Sequence, residues 1–283
     1  MKWTDDRSGN VEDRRGLGSG GAVVGGGLGT LIIAAIIFFL GGDPSSVLSS
    51  SGSGSSSAKT EQRDLSADEL KVREFVQMVT AENEETWTKI FADNGMKYTP
   101  ARVVLFENTT QSGCGTAQSA MGPFYCPADQ TVYMDMSFFK ELQQQFGARV
   151  TEFTIAYVMA HEMGHHVQTL LGTTQKVDAL RGRYSEAEMN KVSVATELQA
   201  DFYAGVWSRQ TDSREHILEP GDIDAAIEAA EAVGDDNIQK RSQGYVNQES
   251  FTHGSSAQRK EWFMKGYNTG DIRQGDTFNQ LLK

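Results

Sequence analysis

Cysteine is scarce. The 283-residue chain holds two, Cys114 and Cys126, with no C-x-x-C pair. A Cys₂His₂ zinc finger is excluded, because no local histidine pair at finger spacing accompanies them. Two readings stay open: a disulfide closing a short loop, or two unrelated buried thiols. Basic side chains are in deficit as well, 26 against 38 acidic, for a net charge of −12. With no Lys/Arg cluster to offset it, that field repels phosphate backbones and argues against a nucleic-acid partner. Internal repeats are absent, which excludes a solenoid.

Charge is missing altogether between residues 22 and 40. As a helix, that length spans a hydrocarbon core of about 30 Å. A cleaved signal peptide is the competing reading, but its apolar region is usually shorter and no A-x-A site follows Leu40. The expected organisation is a disordered cytoplasmic tail (1–20), a transmembrane helix (21–41), a Ser/Gly-rich linker (42–63) and a folded domain (64–283). Arg14 and Arg15 precede the apolar stretch and Asp43 follows it. The positive-inside rule then places the N-terminus in the cytoplasm and the domain outside. An exported domain suits a disulfide.

Within the domain, helices dominate. Ser66 with Glu69 forms a capping box that opens a helix reaching the early 90s, stopped by Asn94-Gly95. Arg102–Glu107 and Thr131–Asp135 read as strands. Further helices are expected through Phe138, Phe139 and Leu142 to Gly147, over Thr151–Leu171, from Ser185 through Arg209, over Asp222–Val233, and from the Ser255/Gln258 cap onward. The strand at Thr131–Asp135 is expected to be an edge strand beside a cleft, with Tyr133 either lining it or packed in the core.

The chemistry concentrates in His161-Glu162-Met163-Gly164-His165. Histidines four apart on a helix project from one face and can take two corners of a tetrahedral zinc site. Glu162 then sits where a carboxylate can act as general base on a zinc-activated water. The surrounding Ile155, Val158, Met159, Ala160, Val167 and Leu170 imply a buried helix, and buried histidines need partners. Gly164 permits close approach of another backbone. His166 points about 100° off the ligand face, to the surface or behind the ligands. Glu197-Leu-Gln-Ala-Asp201 repeats the four-residue spacing on another apolar helix. Glu197 is the candidate third ligand, with Asp201 set to orient a ligand histidine.

His-Glu-x-x-His followed by Glu-x-x-Ala-Asp resembles the gluzincins, as in thermolysin and the HtpX-like membrane peptidases. More closely, the chain resembles the bacterial neutral zinc metallopeptidase family over nearly its whole length. The resemblance is carried by the Lys2-Trp3 start, the single membrane segment, Cys114-Gly-Thr, Gly122-Pro-Phe-Tyr-Cys-Pro127, the zinc helix, Thr196-Glu-Leu-Gln-Ala-Asp201 and His253-Gly-Ser-Ser-Ala-Gln-Arg259. It implies an α+β, zincin-like fold, mostly helical with a small mixed sheet against the two zinc helices and one transmembrane helix before it. It also implies one Zn²⁺ per chain, a protein or peptide substrate and a single-pass place in the bacterial inner membrane, with a periplasmic or extracellular domain. HtpX-like enzymes carry a His-Pro and a following Arg after the acidic motif. Here Gly254 replaces the proline, so the match is partial. His253 is the candidate oxyanion donor or else a plain loop histidine. Arg259 is the candidate partner of a buried carboxylate such as Asp201. A catalytically silent zinc scaffold of the cell envelope and a non-peptidase zinc hydrolase are the rival readings.

Overall fold

A computed structural model describes residues 1–16, 63–118 and 121–282. The expected transmembrane helix and nearly all of the linker lie outside the described residues. Among those described, no helix is long and apolar enough to cross a membrane.

The order along the chain is β1 (Val11–Asp13), α1 (Ala67–Asp93), β2 (Arg102–Phe106), β3 (Thr109–Ser112), β4 (Gly115–Gln118), β5 (Phe124–Cys126) and β6 (Thr131–Asp135). Then follow α2 (Ser137–Phe146), α3 (Glu152–Leu170), α4 (Thr173–Asp178), α5 (Glu186–Glu215), α6 (Asp222–Ala232), α7 (Asp235–Gln243), α8 (Ser256–Thr269) and α9 (Thr277–Leu281). The architecture is α+β and mostly helical, with a small mixed sheet. Helix ends follow local chemistry. Ser66, Ser185 and Ser255 each cap a helix in a box with the residue three positions on, each side chain satisfying an otherwise orphaned N–H. Gly147 and Gly270 adopt the left-handed conformation that ends α2 and α8.

The sheet order is β1-β2-β6-β5, with β3 and β4 forming a separate hairpin. β1, β2 and β6 run parallel, and β5 is antiparallel to β6. This corrects the expected edge at Thr131–Asp135. β6 lies inside the sheet, all five residues buried, and covered on both faces as interior parallel strands are. The edge is β5, only three residues long between Pro123 and Pro127, too short for periodicity to reveal. Tyr133 is a core residue whose hydroxyl donates to Asp129 at 2.8 Å.

A second correction concerns the N-terminal residues. Residues 1–16 belong to the domain and are not a disordered tail. Lys2 N–H donates to the Ile217 carbonyl (2.8 Å), and Trp3 packs on Phe75 with ring centres 5.4 Å apart. Thr4 donates to Glu82 at 2.6 Å, and Asn10 to Glu84 at 2.6 Å. The charges that made this stretch look disordered are paired among themselves, Arg14 with Glu12 and Arg15 with Asp13. Paired, they leave Val11 and Trp3 to pack against the core.

The sheet side and the helices meet in one core that includes Val103, Met134, Phe153, Met159 and Phe202. α3 and α5 approach at Gly164, where a Cβ would stand 2.9 Å from the Ala200 carbonyl oxygen. Gly205 and Gly266 bring α5 and α8 together in the same way, each facing a backbone carbonyl of the other helix. Gly164→Val should therefore lower stability by about 2 kcal/mol or more, because two backbones must separate. Equilibrium denaturation measures it, and wild-type stability of the variant would contradict the close approach.

Candidate metal centre

α3 carries His161, Glu162 and His165 on its inner side, and α5 presents Glu197 to them. The Glu197 carboxylate oxygens lie 3.2 Å from His161 Nε2 and 3.5 Å from His165 Nε2. One atom from each residue falls within 4.8 Å of the others, and this is a possible metal site. His161, Glu162 and Glu197 are each at most 6% exposed.

Each histidine is held at its other nitrogen. His161 Nδ1 donates to Asp201 Oδ1 at 2.9 Å. Asp201 lies one turn after Glu197 on α5, fully buried, and also accepts from the Tyr157 hydroxyl (2.6 Å). Arg259 of α8 grips both its oxygens, Nε to Oδ2 at 2.7 Å and Nη2 to Oδ1 at 2.8 Å. Burial pushes the Asp201 carboxyl up, but Arg259 and His161 outweigh it and hold it well below the usual carboxylate range. His165 Nδ1 donates to Gln168 Oε1 at 2.9 Å. The Gln168 amide in turn donates to the Thr196 carbonyl (2.7 Å) and to Gln199 Oε1 (3.1 Å), which fixes its orientation. With Nδ1 of each imidazole engaged in this way, Nε2 of both faces Glu197 and would be the nitrogen offered to a cation bound there. Two neutral nitrogens and one carboxylate form the donor set of a catalytic zinc, which keeps a fourth position for reactants. The residues present fit that ion.

Glu162 lies beside the ligands, with the backbone of Tyr125 from β5 close to its carboxyl. Its Oε2 has no hydrogen-bond partner among the described residues. Burial pushes its pKa up, against the pull of the two histidines. His166 is buried, not at the surface. Its Nε2 donates to the Thr99 carbonyl (2.7 Å) and its Nδ1 accepts the Tyr125 hydroxyl (3.0 Å). It therefore pins β5 to the histidine helix. Cys114 and Cys126 form a disulfide that ties the turn of the β3–β4 hairpin to the end of the same strand.

His253 stands on the loop before α8. Gly254, at φ 92°, packs that loop against Val194 and Leu198, which flank Glu197. Asp235, at the start of α7, was not foreseen from the sequence. One of its oxygens accepts the backbone N–H groups of Thr252, His253 and Gly254 at 2.7, 2.6 and 2.9 Å. The other lies 3.3 Å from His253 Nδ1. Burial lowers the His253 pKa, but Asp235 and the charge of Glu197 outweigh it and raise it above the ordinary imidazole value. Gln168 and Gln199 were also unforeseen. Gln168 lies three residues beyond His165, a spacing that marks a same-face neighbour only once the ligand is known.

Comparison with known proteins agrees in kind. Residues 1–278 match the family described as "Putative neutral zinc metallopeptidase". The uncharacterized protein YpfJ of Escherichia coli K12 is 41% identical over 290 residues, covering 100% of both chains. An uncharacterized protein of Mycobacterium tuberculosis H37Rv is 47% identical over 191 residues, 64% of each chain. No solved structure matches.

Purified protein should bind about one zinc per chain, and His161→Ala or Glu197→Ala should abolish binding. Gln168→Leu should weaken it by roughly 10–100-fold with the fold retained, because His165 loses the group that sets its proton. Competition with a chromophoric chelator reads both; unchanged affinity in Gln168→Leu would remove its orienting role.

Proposed function

Because the chain belongs to the family "Putative neutral zinc metallopeptidase", we propose that it is a zinc-dependent endopeptidase with a zincin-like domain. Glu162 carries the reading: a buried acid beside three convergent ligands, with one oxygen unpartnered among the described residues. A silent scaffold needs no acid there, which counts against that alternative. His161, His165 and Glu197 would hold the zinc, which when bound would supply Lewis acidity toward a carbonyl and a water.

The remaining work belongs to the chain's own groups. Glu162 takes a proton from the attacking water and returns it to the leaving amine. A carboxylate raised by burial suits both halves of that transfer near neutral pH. Asp201, Arg259 and Tyr157 keep His161 in one tautomer and one orientation. His253, whose pKa Asp235 raises, donates to the oxygen on which negative charge develops. β5 is the sheet edge next to Glu162, and an extended peptide adding to such an edge is bound through its backbone. That mode suits substrates of varied sequence. The uncharged stretch within 21–41 anchors the chain in the bacterial inner membrane, and the disulfide favours a domain on the oxidising side.

Glu162→Gln should keep zinc and lose cleavage of an unstructured protein substrate; cleavage at the wild-type rate would sink the mechanism. The pH profile of kcat/KM should be bell-shaped. Its acid limb, from ionisation of Glu162, should lie above the ordinary carboxylate value of 4.5. Its alkaline limb, from loss of the His253 proton, should lie above the ordinary imidazole value of 6.5. Asp235→Asn removes the charge that raises His253, so the alkaline limb should move to lower pH. An unmoved limb would assign it to another group.

A further inference from the structure

A chain of side-chain amides runs from His165 to a part of the fold remote from the ligands. Gln168 Oε1 faces His165 Nδ1 at 2.9 Å. The Gln168 NH₂ group has two protons and finds two acceptors on α5, the Thr196 carbonyl (2.7 Å) and Gln199 Oε1 (3.1 Å). Gln199 in turn donates to the Gly275 carbonyl at 2.7 Å. A carbonyl only accepts. Gly275 therefore turns the Gln199 amide so that its oxygen, not its nitrogen, meets Gln168. Both glutamines are buried, and buried amides depend on their protein partners.

Gly275 belongs to the stretch 271–281 that follows α8, a 3₁₀ turn at Ile272–Gln274 and then α9. This stretch holds the turn of α5 that carries Glu197 on both sides of that residue. Before it, the buried Thr277 hydroxyl donates to the Ala195 carbonyl at 2.6 Å. After it, the Gly275 carbonyl holds Gln199. The approach is close: a Cβ at position 275 would stand 2.6 Å from the Phe202 ring. The acceptor is itself fixed, since the Thr277 N–H also donates to the Gly275 carbonyl at 3.0 Å. Ile272 and Leu281 pack against the core. The preceding helix reaches the other histidine, for Arg259 of α8 holds Asp201, the partner of His161. Residues 256–281 thus stand one step behind both ligand imidazoles.

We propose that residues 271–281 brace the metal centre, and that Gln199 is the positioning residue through which they act on Gln168 and so on His165. The inference rests on the reading of His161, His165 and Glu197 as zinc ligands. Coupling of this kind is reciprocal. If the docked segment raises metal affinity, a bound metal tightens the docking by the same factor. A segment that only adds packing would stabilise the fold and leave the affinity of the folded protein for the metal unchanged.

Gln199→Met keeps the length of the side chain and removes both of its hydrogen bonds. In the full-length chain, Zn²⁺ competition against a chromophoric chelator should show affinity lowered roughly 10-fold, the lower end of what an outer partner of a ligand supplies. Because Gln199 acts through Gln168, adding Gln199→Met to Gln168→Leu should cost no further affinity. Wild-type affinity in Gln199→Met, or losses that add in the double variant, overturn the proposal. Hydrogen exchange gives a second readout that needs no variant. Zn²⁺ added to the metal-free wild-type chain should slow amide exchange within 271–281. Zn²⁺ binding with unchanged exchange there overturns the brace and leaves the zinc reading standing. A wild-type chain that binds no Zn²⁺ overturns the zinc reading, and this inference with it.

Discussion

A carboxylate with no access to water stands where three helices meet. Asp201 of α5 takes its partners from α3 (Tyr157, His161) and α8 (Arg259), and no solvent is available to replace any of them. Desolvating such a charge costs several kcal/mol, and only complete pairing offsets it. The three helices therefore hold one mutual position or lose the network together. The short Asp side chain reaches both neighbours because Gly164, Gly205 and Gly266 let the backbones come close. The imidazole of His161 thus receives its proton position from packing, before any ion is bound.

What the chain's order revealed depended on the range of the interaction. Helix ends were legible, since Ser66, Ser185 and Ser255 find their partners three residues away. The ligand pairs were legible for the same reason, four residues being one helical turn. The pairing of Arg259 with Asp201 could be suspected from the resemblance to HtpX-like enzymes, which carry an Arg after the acidic motif. The first strand was hidden by its own neutralised charges, and β5 by its brevity between two prolines. The β3–β4 hairpin was hidden by a polar, Gly-containing composition with no apolar face. Asp235 draws its meaning from backbone N–H groups of a loop far along the chain, which no local pattern encodes.

Two separate devices converge on β5. From behind, His166 bonds Tyr125 to the histidine helix; at the strand's end, the disulfide ties Cys126 to the hairpin turn. His166 and the disulfide thereby hold the strand beside the helix that carries Glu162. Such preorganisation is worth most where reacting groups must meet within a fraction of an ångström.

β1 has a consequence outside catalysis. Without residues 11–13, β2 would itself be the edge of the sheet, with Val103, Val104 and Leu105 beside an unpaired backbone. An apolar open edge is a template on which other chains aggregate. The charged segment at the start of the chain closes that template from within. Its paired acids and bases, set over a row of valine and leucine, protect the newly made protein from its own copies.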